Sequence, residues 1–191
     1  PVMILSDGVI GQMMEKVVLP PIKPRRTEEQ IKRECPWATI GRTMEREPNI
    51  LTSLELKPEV METRNKALQE KYRKIKETEV KYETQRCDDA DYLIVAFGSA
   101  ARIAEKSVEL AREKGINVGL FRPITLWPFP EEALKAMATK VKGMLVAEIN
   151  AGQMVEDVRL AVDGAIPVEH FGRLGGIVPE PEEIVQALIT K

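Results

Sequence analysis

The chain has 191 residues, 43% hydrophobic and 30% charged, with a formal net charge of -2. That length allows one or two domains with a real core. The composition contains no long uncharged run of the kind that spans a membrane, and the charge balance gives no global basis for binding nucleic acid or an anionic membrane. Cys35 and Cys87 are isolated from each other and form no CxxC pair, so no zinc site or iron–sulfur cluster is expected from this chain alone. Nothing demands an oxidising compartment, the first residues lack the basic start of a secretory signal, and cytoplasm is the expected location.

In chain order, Pro1-Val2-Met3-Ile4-Leu5 reads as a buried strand. Ser6-Asp7-Gly8 then turns into a helical pattern over Gly11–Val17. One strand and one helix cannot bury their apolar faces alone. Residues 1–19 are therefore expected to be the tail of a domain, the alternative being an edge strand that joins the later sheet. From Leu19 to Pro58, the prolines Pro20, Pro21, Pro24, Pro36, Pro48 and Pro58 interrupt any regular element and predict an extended connector. Lys23, Arg25 and Arg26 lie in it, and a solvated linker is favoured over a phosphate site because a short basic pair has no defined cradle.

A long charged helix is predicted over Glu59–Gln85. Met61, Leu68, Ile75 and Tyr82 recur every seventh residue, with Tyr72 beside them, and make a stripe too narrow for a core of its own. Opposite charges at near-neighbour spacing surround it.

From Ala90 onward, four short apolar runs alternate with amphipathic helical patterns. The runs are Tyr92–Phe97, Ile116–Phe121, Met144–Ile149 and Val168–Phe171. The helices run from about Ala100 to Lys114, then from Pro130-Glu131-Glu132, after Gly152, and from Pro181-Glu182-Glu183. Continuous apolar strands alternating with helices predict a parallel-rich three-layer α/β sandwich over residues 89–191, with residues 20–88 as connector and long helix. In such sheets the loops leaving the carboxyl ends of the strands gather at one edge, where ligands or subunits are received.

That edge supplies the candidate residues. Gly98, Ser99 and Arg102 stand where a strand turns into a helix, with backbone amides placed to hold an anion. Ser99 as a plain N-cap is the favoured reading, and the full G-x-G-x-x-G pattern is absent. Asn150 and Gln153 occupy the equivalent place after the third run, with Asn150 as a cap or turn residue. Trp127 and Phe129, in the proline-stiffened stretch Arg122–Pro130, are candidates for a subunit interface or for packing on the long helix. His170, the only histidine, is expected in the core or partly buried, and Glu148 is expected to pair with an arginine. No catalytic set and no metal site can be assembled.

The segments Ala96-Phe97-Gly98-Ser99-Ala100-Ala101-Arg102, Gly119–Pro130 and Val146-Ala147-Glu148-Ile149-Asn150-Ala151-Gly152-Gln153 resemble the alpha subunit of 2-oxoacid:ferredoxin oxidoreductases, closest to the 2-ketoisovalerate or 2-oxoglutarate type. Ser6-Asp7-Gly8 through Met14 resembles the end of that subunit's thiamine-diphosphate-binding, pyrimidine-type domain. The resemblance runs over nearly the whole chain and is least specific in the connector. It implies oxidative decarboxylation of a 2-oxoacid with coenzyme A to acyl-CoA, carbon dioxide and reduced ferredoxin. It also implies thiamine diphosphate and Mg2+ between alpha and beta subunits, iron–sulfur clusters on other subunits, and beta and gamma or delta partners. Residues 89–191 resemble the transketolase C-terminal domain, which serves assembly and borders the active site, so no catalytic residue is carried over and no activity is expected of the chain alone. Two other readings stand beside it: a free-standing binding or regulatory module, and the C-terminal part of a lipoyl-reducing thiamine-dependent dehydrogenase.

Overall fold

A computed structural model describes residues 2–5, 8–12, 14, 16–35, 37–38, 50 and 52–190; of residues 9 and 10 only the backbone is described. Ser6, Asp7, Met13, Pro36 and Pro48 lie outside the described residues. The chain divides into two units, Pro1–Ala67 and Leu68–Lys191.

In the first unit, residues 2–5 form no strand, and Val2, Met3, Ile4 and Leu5 keep 80% or more of their surface exposed. The expected buried strand is absent, as is its alternative as an edge strand of the later sheet, because these four residues gain no ladder partner. The helix after it, α1, covers Gly8–Gln12. Among its described residues the connector holds an element the prolines concealed, α2 over Glu28–Glu34. Thr27 starts it with a capping box: Gln30 N donates to Thr27 Oγ1 at 3.2 Å, and Thr27 N donates to Gln30 Oε1 at 2.9 Å. Arg26 lies 3.5 Å from Glu34 and 3.4 Å from Cys35 Sγ, so its guanidinium is engaged within the connector. α3 runs over Pro58–Thr78 with no fully buried residue, and is laced by pairs such as Glu62–Lys66 and Glu70–Arg73.

The predicted helix ends seven residues early. Tyr82–Gln85 is a strand, β1, the antiparallel edge of a five-stranded sheet. The heptad-like spacing from Ile75 to Tyr82 continues the helical stripe in sequence only. The Tyr82 ring stacks on Phe121 at 5.1 Å between centroids, and that contact selects the strand.

The four parallel strands fall on the predicted runs: β2 Tyr92–Val95, β3 Val118–Pro123, β4 Gly143–Glu148 and β5 Val168–Gly172. The helices between and after them are α4 Gly98–Glu113, α5 Glu131–Ala138, α6 Met154–Val162 and α7 Pro181–Thr190. The order across the sheet is β1-β3-β2-β4-β5. Alternation along β2 explains the two faces. Leu93 and Val95 join Phe121, Leu134, Met144, Val146, Met154 and Val158 in one core under α5 and α6. Ile94 and Ala96 join Ala104, Val108, Leu120, Leu145, Ile184 and Val185 in the other, under α4 and α7. The architecture is the expected three-layer sandwich.

Loss of β1 removes one ladder and uncovers the Phe121 ring. A fragment spanning residues 79–191 is therefore expected to unfold cooperatively in denaturant, and one spanning 90–191 at a clearly lower midpoint; equal midpoints would show that β1 contributes nothing to the domain.

Candidate functional site at the carboxyl edge

The strand order places the candidate loops. From β2 the chain leaves through α4 toward β3, and from β4 it leaves through α6 toward β5, while β2 and β4 are neighbours with Val95 opposite Val146. The loops after β2 and β4 thus diverge from adjacent strand ends, a topological switch point. Gly98, Ser99 and Arg102 stand on one side of it and Asn150 and Gln153 on the other. Trp127 and Phe129 follow β3 and lie outside this pair of loops.

The β4 side is built around Glu148, the last residue of β4, which is 1% exposed. Its Oε2 accepts from Met154 N at 2.9 Å, Gln153 N at 3.3 Å and Asn150 Nδ2 at 3.0 Å. Its Oε1 accepts from Val155 N at 3.0 Å. The carboxylate therefore closes the amino end of α6, where free amides and the helix dipole favour an anion. The arginine partner expected from the sequence is absent among the described residues; backbone amides engage the carboxylate, and the His170 ring stands alongside, with Nε2 at 3.8 Å from Oε1. His170 is half-buried as expected, and its Nε2 lacks a hydrogen-bond partner.

Asn150 is the expected turn residue. Its Oδ1 accepts from Gly152 N at 2.7 Å, and Gly152 takes a φ of +104°. The loop is also locked from below. A Cβ on Gly172, at the end of β5, would stand 2.3 Å from Asn150 O and 2.7 Å from the His170 ring. Gln153 is exposed and contributes its amide rather than its side chain.

The β2 side differs. α4 begins at Gly98, with a φ of +55°, so the N-cap is Phe97, which has no side-chain oxygen to offer. Ser99 is therefore not the N-cap residue: it lies one residue inside the helix and is buried. Arg102 is exposed one turn further on.

Phe129 is partly buried and packs against the core under α5. Trp127 keeps 55% of its surface exposed and meets Tyr72 of α3 edge-to-face at 5.4 Å. Both cysteines are buried; desolvation pushes the Cys87 thiol up, and it donates to Leu120 O at 3.3 Å. Among the described residues no three His, Cys, Asp or Glu side chains stand together as a metal site, and no helix is long and apolar enough to cross a membrane.

With this geometry in place, the relatives can be named. The domain is of the transketolase C-terminal-like class: a split gene transketolase, solved as an inactive beta4 tetramer, matches with a TM-score of 0.50 over 58% of this chain and 40% of that one, at 18% identity. A 2-oxoglutarate:ferredoxin oxidoreductase from Magnetococcus marinus, solved with 2-oxoglutarate, coenzyme A and succinyl-CoA bound, matches with a TM-score of 0.61 over 71% of this chain and 24% of that one, at 22% identity. Residues 90–184 match the family model pyruvate:ferredoxin oxidoreductase core domain II. Over 98% of its length the chain is 40% identical to the ketoisovalerate oxidoreductase subunit VorB of Methanothermobacter thermautotrophicus, of which it covers 51%. The chain spans about half the length of the curated relatives it matches, which are subunits of ketoisovalerate oxidoreductases and of a 2-oxoglutarate synthase.

Two outcomes follow from the site. Replacing Glu148 by Gln leaves α6 amides without their anion, and unfolding free energy is expected to fall by about 2–4 kcal/mol in denaturant titration; an unchanged midpoint would deny the carboxylate its capping role. Asp157, in the first turn of α6, is pushed above its ordinary value by desolvation, then by the charges of Glu156, Glu131 and Glu148. The helix end that would favour it is already countered by Glu148. A carboxyl whose folded pKa is raised destabilises the fold once ionised, so Asp157→Asn is expected to raise the melting temperature at neutral pH, with the gain vanishing as pH falls below the carboxylate range. A gain independent of pH would refer the effect to packing.

Proposed function

We propose that this chain is part of the alpha subunit of a thiamine-diphosphate-dependent 2-oxoacid:ferredoxin oxidoreductase of the 2-ketoisovalerate or 2-oxoglutarate type. The observation that carries the reading is the 40% identity to a ketoisovalerate oxidoreductase subunit across 98% of the chain. The enzyme converts a 2-oxoacid, coenzyme A and oxidised ferredoxin to acyl-CoA, carbon dioxide and reduced ferredoxin. Its partners are beta and gamma or delta subunits, its clusters sit on those subunits, and it works in the cytoplasm.

Among the described residues, the donors present do not fit a seat for thiamine diphosphate and Mg2+. The amino end of α6 is filled by the Glu148 carboxylate, and the described residues bring no set of three metal-ligating side chains together. The cofactor, which supplies the electron sink for decarboxylation, is accordingly assigned to other parts of the enzyme. The domain of residues 89–191 holds strand ends and loops in fixed positions at the border of the active site and serves assembly, with Trp127 as one anchor. Residues 1–19 belong to the end of the cofactor-binding domain, whose remaining strands would cover the exposed Val2–Leu5.

The test is deletion of the region corresponding to residues 89–191 from the whole enzyme. Subunit assembly and 2-oxoacid-dependent, coenzyme A-dependent ferredoxin reduction are expected to be lost together, with 2-ketoisovalerate and 2-oxoglutarate compared as substrates. Retention of full activity would remove the reading.

A further inference from the structure

Residues 16–27, in the connector, form neither helix nor strand, and every one of them is exposed. Their backbone is nevertheless restricted. Proline fixes φ at about −65°, and the residue before a proline is pushed out of the α region. Pro20, Pro21 and Pro24, with Leu19 and Lys23 ahead of them, are thereby confined to extended backbone. Thr27 ends the stretch with φ −71° and ψ 162°. Chain so confined takes the polyproline II form, with about three residues per turn. Val18, Pro21 and Pro24 then share one edge, Leu19, Ile22 and Arg25 the next, and Pro20, Lys23 and Arg26 the third. Two edges are mainly apolar and the third is basic. Val18, Leu19 and Ile22 are 79%, 81% and 99% exposed.

Charge gives the segment a direction. Lys16, Lys23, Arg25 and Arg26 lie in it with no acid between them. Arg26 is engaged by Glu34 and Cys35, and Glu28 and Glu29 stand in the first turn of α2, where the helix dipole favours them. Among the described residues Lys23 and Arg25 make no ion pair. The Thr27 capping box holds the carboxyl end in place, which lowers the ordering cost of binding. The backbone selects the occupant. Three prolines remove three N–H donors from residues 20–24 and leave every carbonyl. A sheet edge needs donors and acceptors in alternation, so strand addition fails over this stretch. A lipid interior offers the carbonyls no donor. Tyrosine O–H and tryptophan N–H groups bring a donor and a flat apolar surface together. A groove of such side chains receives the apolar edges and the carbonyls at once, and carboxylates at its end receive Lys23 and Arg25.

We propose that residues 17–25 dock in polyproline II form, within the protein assembly that contains this chain, into a groove lined by tyrosine and tryptophan and ended by carboxylates that pair with Lys23 and Arg25. The proposal rests on the oxidoreductase reading only for the assembly in which the groove is sought.

The test places a photoreactive residue in the segment, Ile22→p-benzoylphenylalanine, in the full-length subunit co-expressed with its partner subunits. The assembled protein is irradiated and the adduct is mapped by mass spectrometry. One adduct site is expected, beside a tyrosine or tryptophan with an Asp or Glu close by. Adding Pro21→Ala with Pro24→Ala, or Lys23→Glu with Arg25→Glu, is expected to lower the adduct yield roughly fivefold or more, as loss of anchoring contacts does. All these positions are exposed, and denaturant midpoints confirm that each variant folds. With the native Lys23 and Arg25 the yield is expected to fall as salt rises. Absent or scattered adducts, or a single adduct on a surface without tyrosine or tryptophan, would overturn the inference. So would a yield that the proline pair leaves unchanged, which would mean that the polyproline form is not what is recognised. Adducts to phospholipid in place of protein, when phosphatidylglycerol vesicles are present, would overturn it in favour of a membrane. The oxidoreductase reading stands apart from these outcomes, because it falls only if the same assembly lacks 2-oxoacid-dependent ferredoxin reduction.

Discussion

The buried carboxylate of Glu148 is the interaction on which the carboxyl edge depends. A charge with 1% exposure is tolerable only when its lone pairs are fully engaged, and here three backbone amides and the Asn150 side chain engage them. The arrangement joins the last residue of β4 to the first turn of α6 without any ligand. It therefore fixes the path of the intervening loop and, through Asn150, its turn at Gly152. A helix start that elsewhere in such sheets receives an anion from outside is supplied with one from inside.

The sheet beneath it is held by strict alternation. Neighbouring residues of β2 and its exit enter different cores, Leu93 and Val95 one, Ile94 and the following Ala96 the other. On the second face α4 presents Ala100, Ala104, Val108 and Ala111, small side chains that let the helix approach the strands closely. A buried leucine or isoleucine there contributes about 2 kcal/mol through removal from water. The charged residues are thereby left to the outer faces of the helices and to the ends of the strands.

The parallel strands and their helices were legible because an apolar run followed by a helical pattern has few other solutions. Gly115 as a stop with a φ of +80° and the acidic first turns of α5 and α7 stood in the sequence as written. β1 was not legible: Tyr82-Glu83-Thr84-Gln85 has the charge and spacing of the helix before it, and only the Phe121 ring, far away in sequence, distinguishes the two outcomes. Ser99 was misplaced as N-cap because the helix begins at Gly98, one residue ahead of it. Glu148 could have been read correctly, because a carboxylate at a strand end followed within a few residues by a glycine turn and a helix lies within reach of that helix's free amides. Val2–Leu5 has the composition of a buried strand, and composition does not say which chain or segment does the burying.

Gly172 has a consequence for how such domains can change. Its α-carbon faces the Asn150 carbonyl so closely that an added methyl group would sit 2.3 Å from it. Any larger residue there requires the loop after β4 to be redrawn, and any redrawing of that loop alters the space that glycine fills. The ends of β4 and β5 are thus free to vary only as a pair. A descendant sequence that exchanged one of these loops for another function would have to exchange both at once.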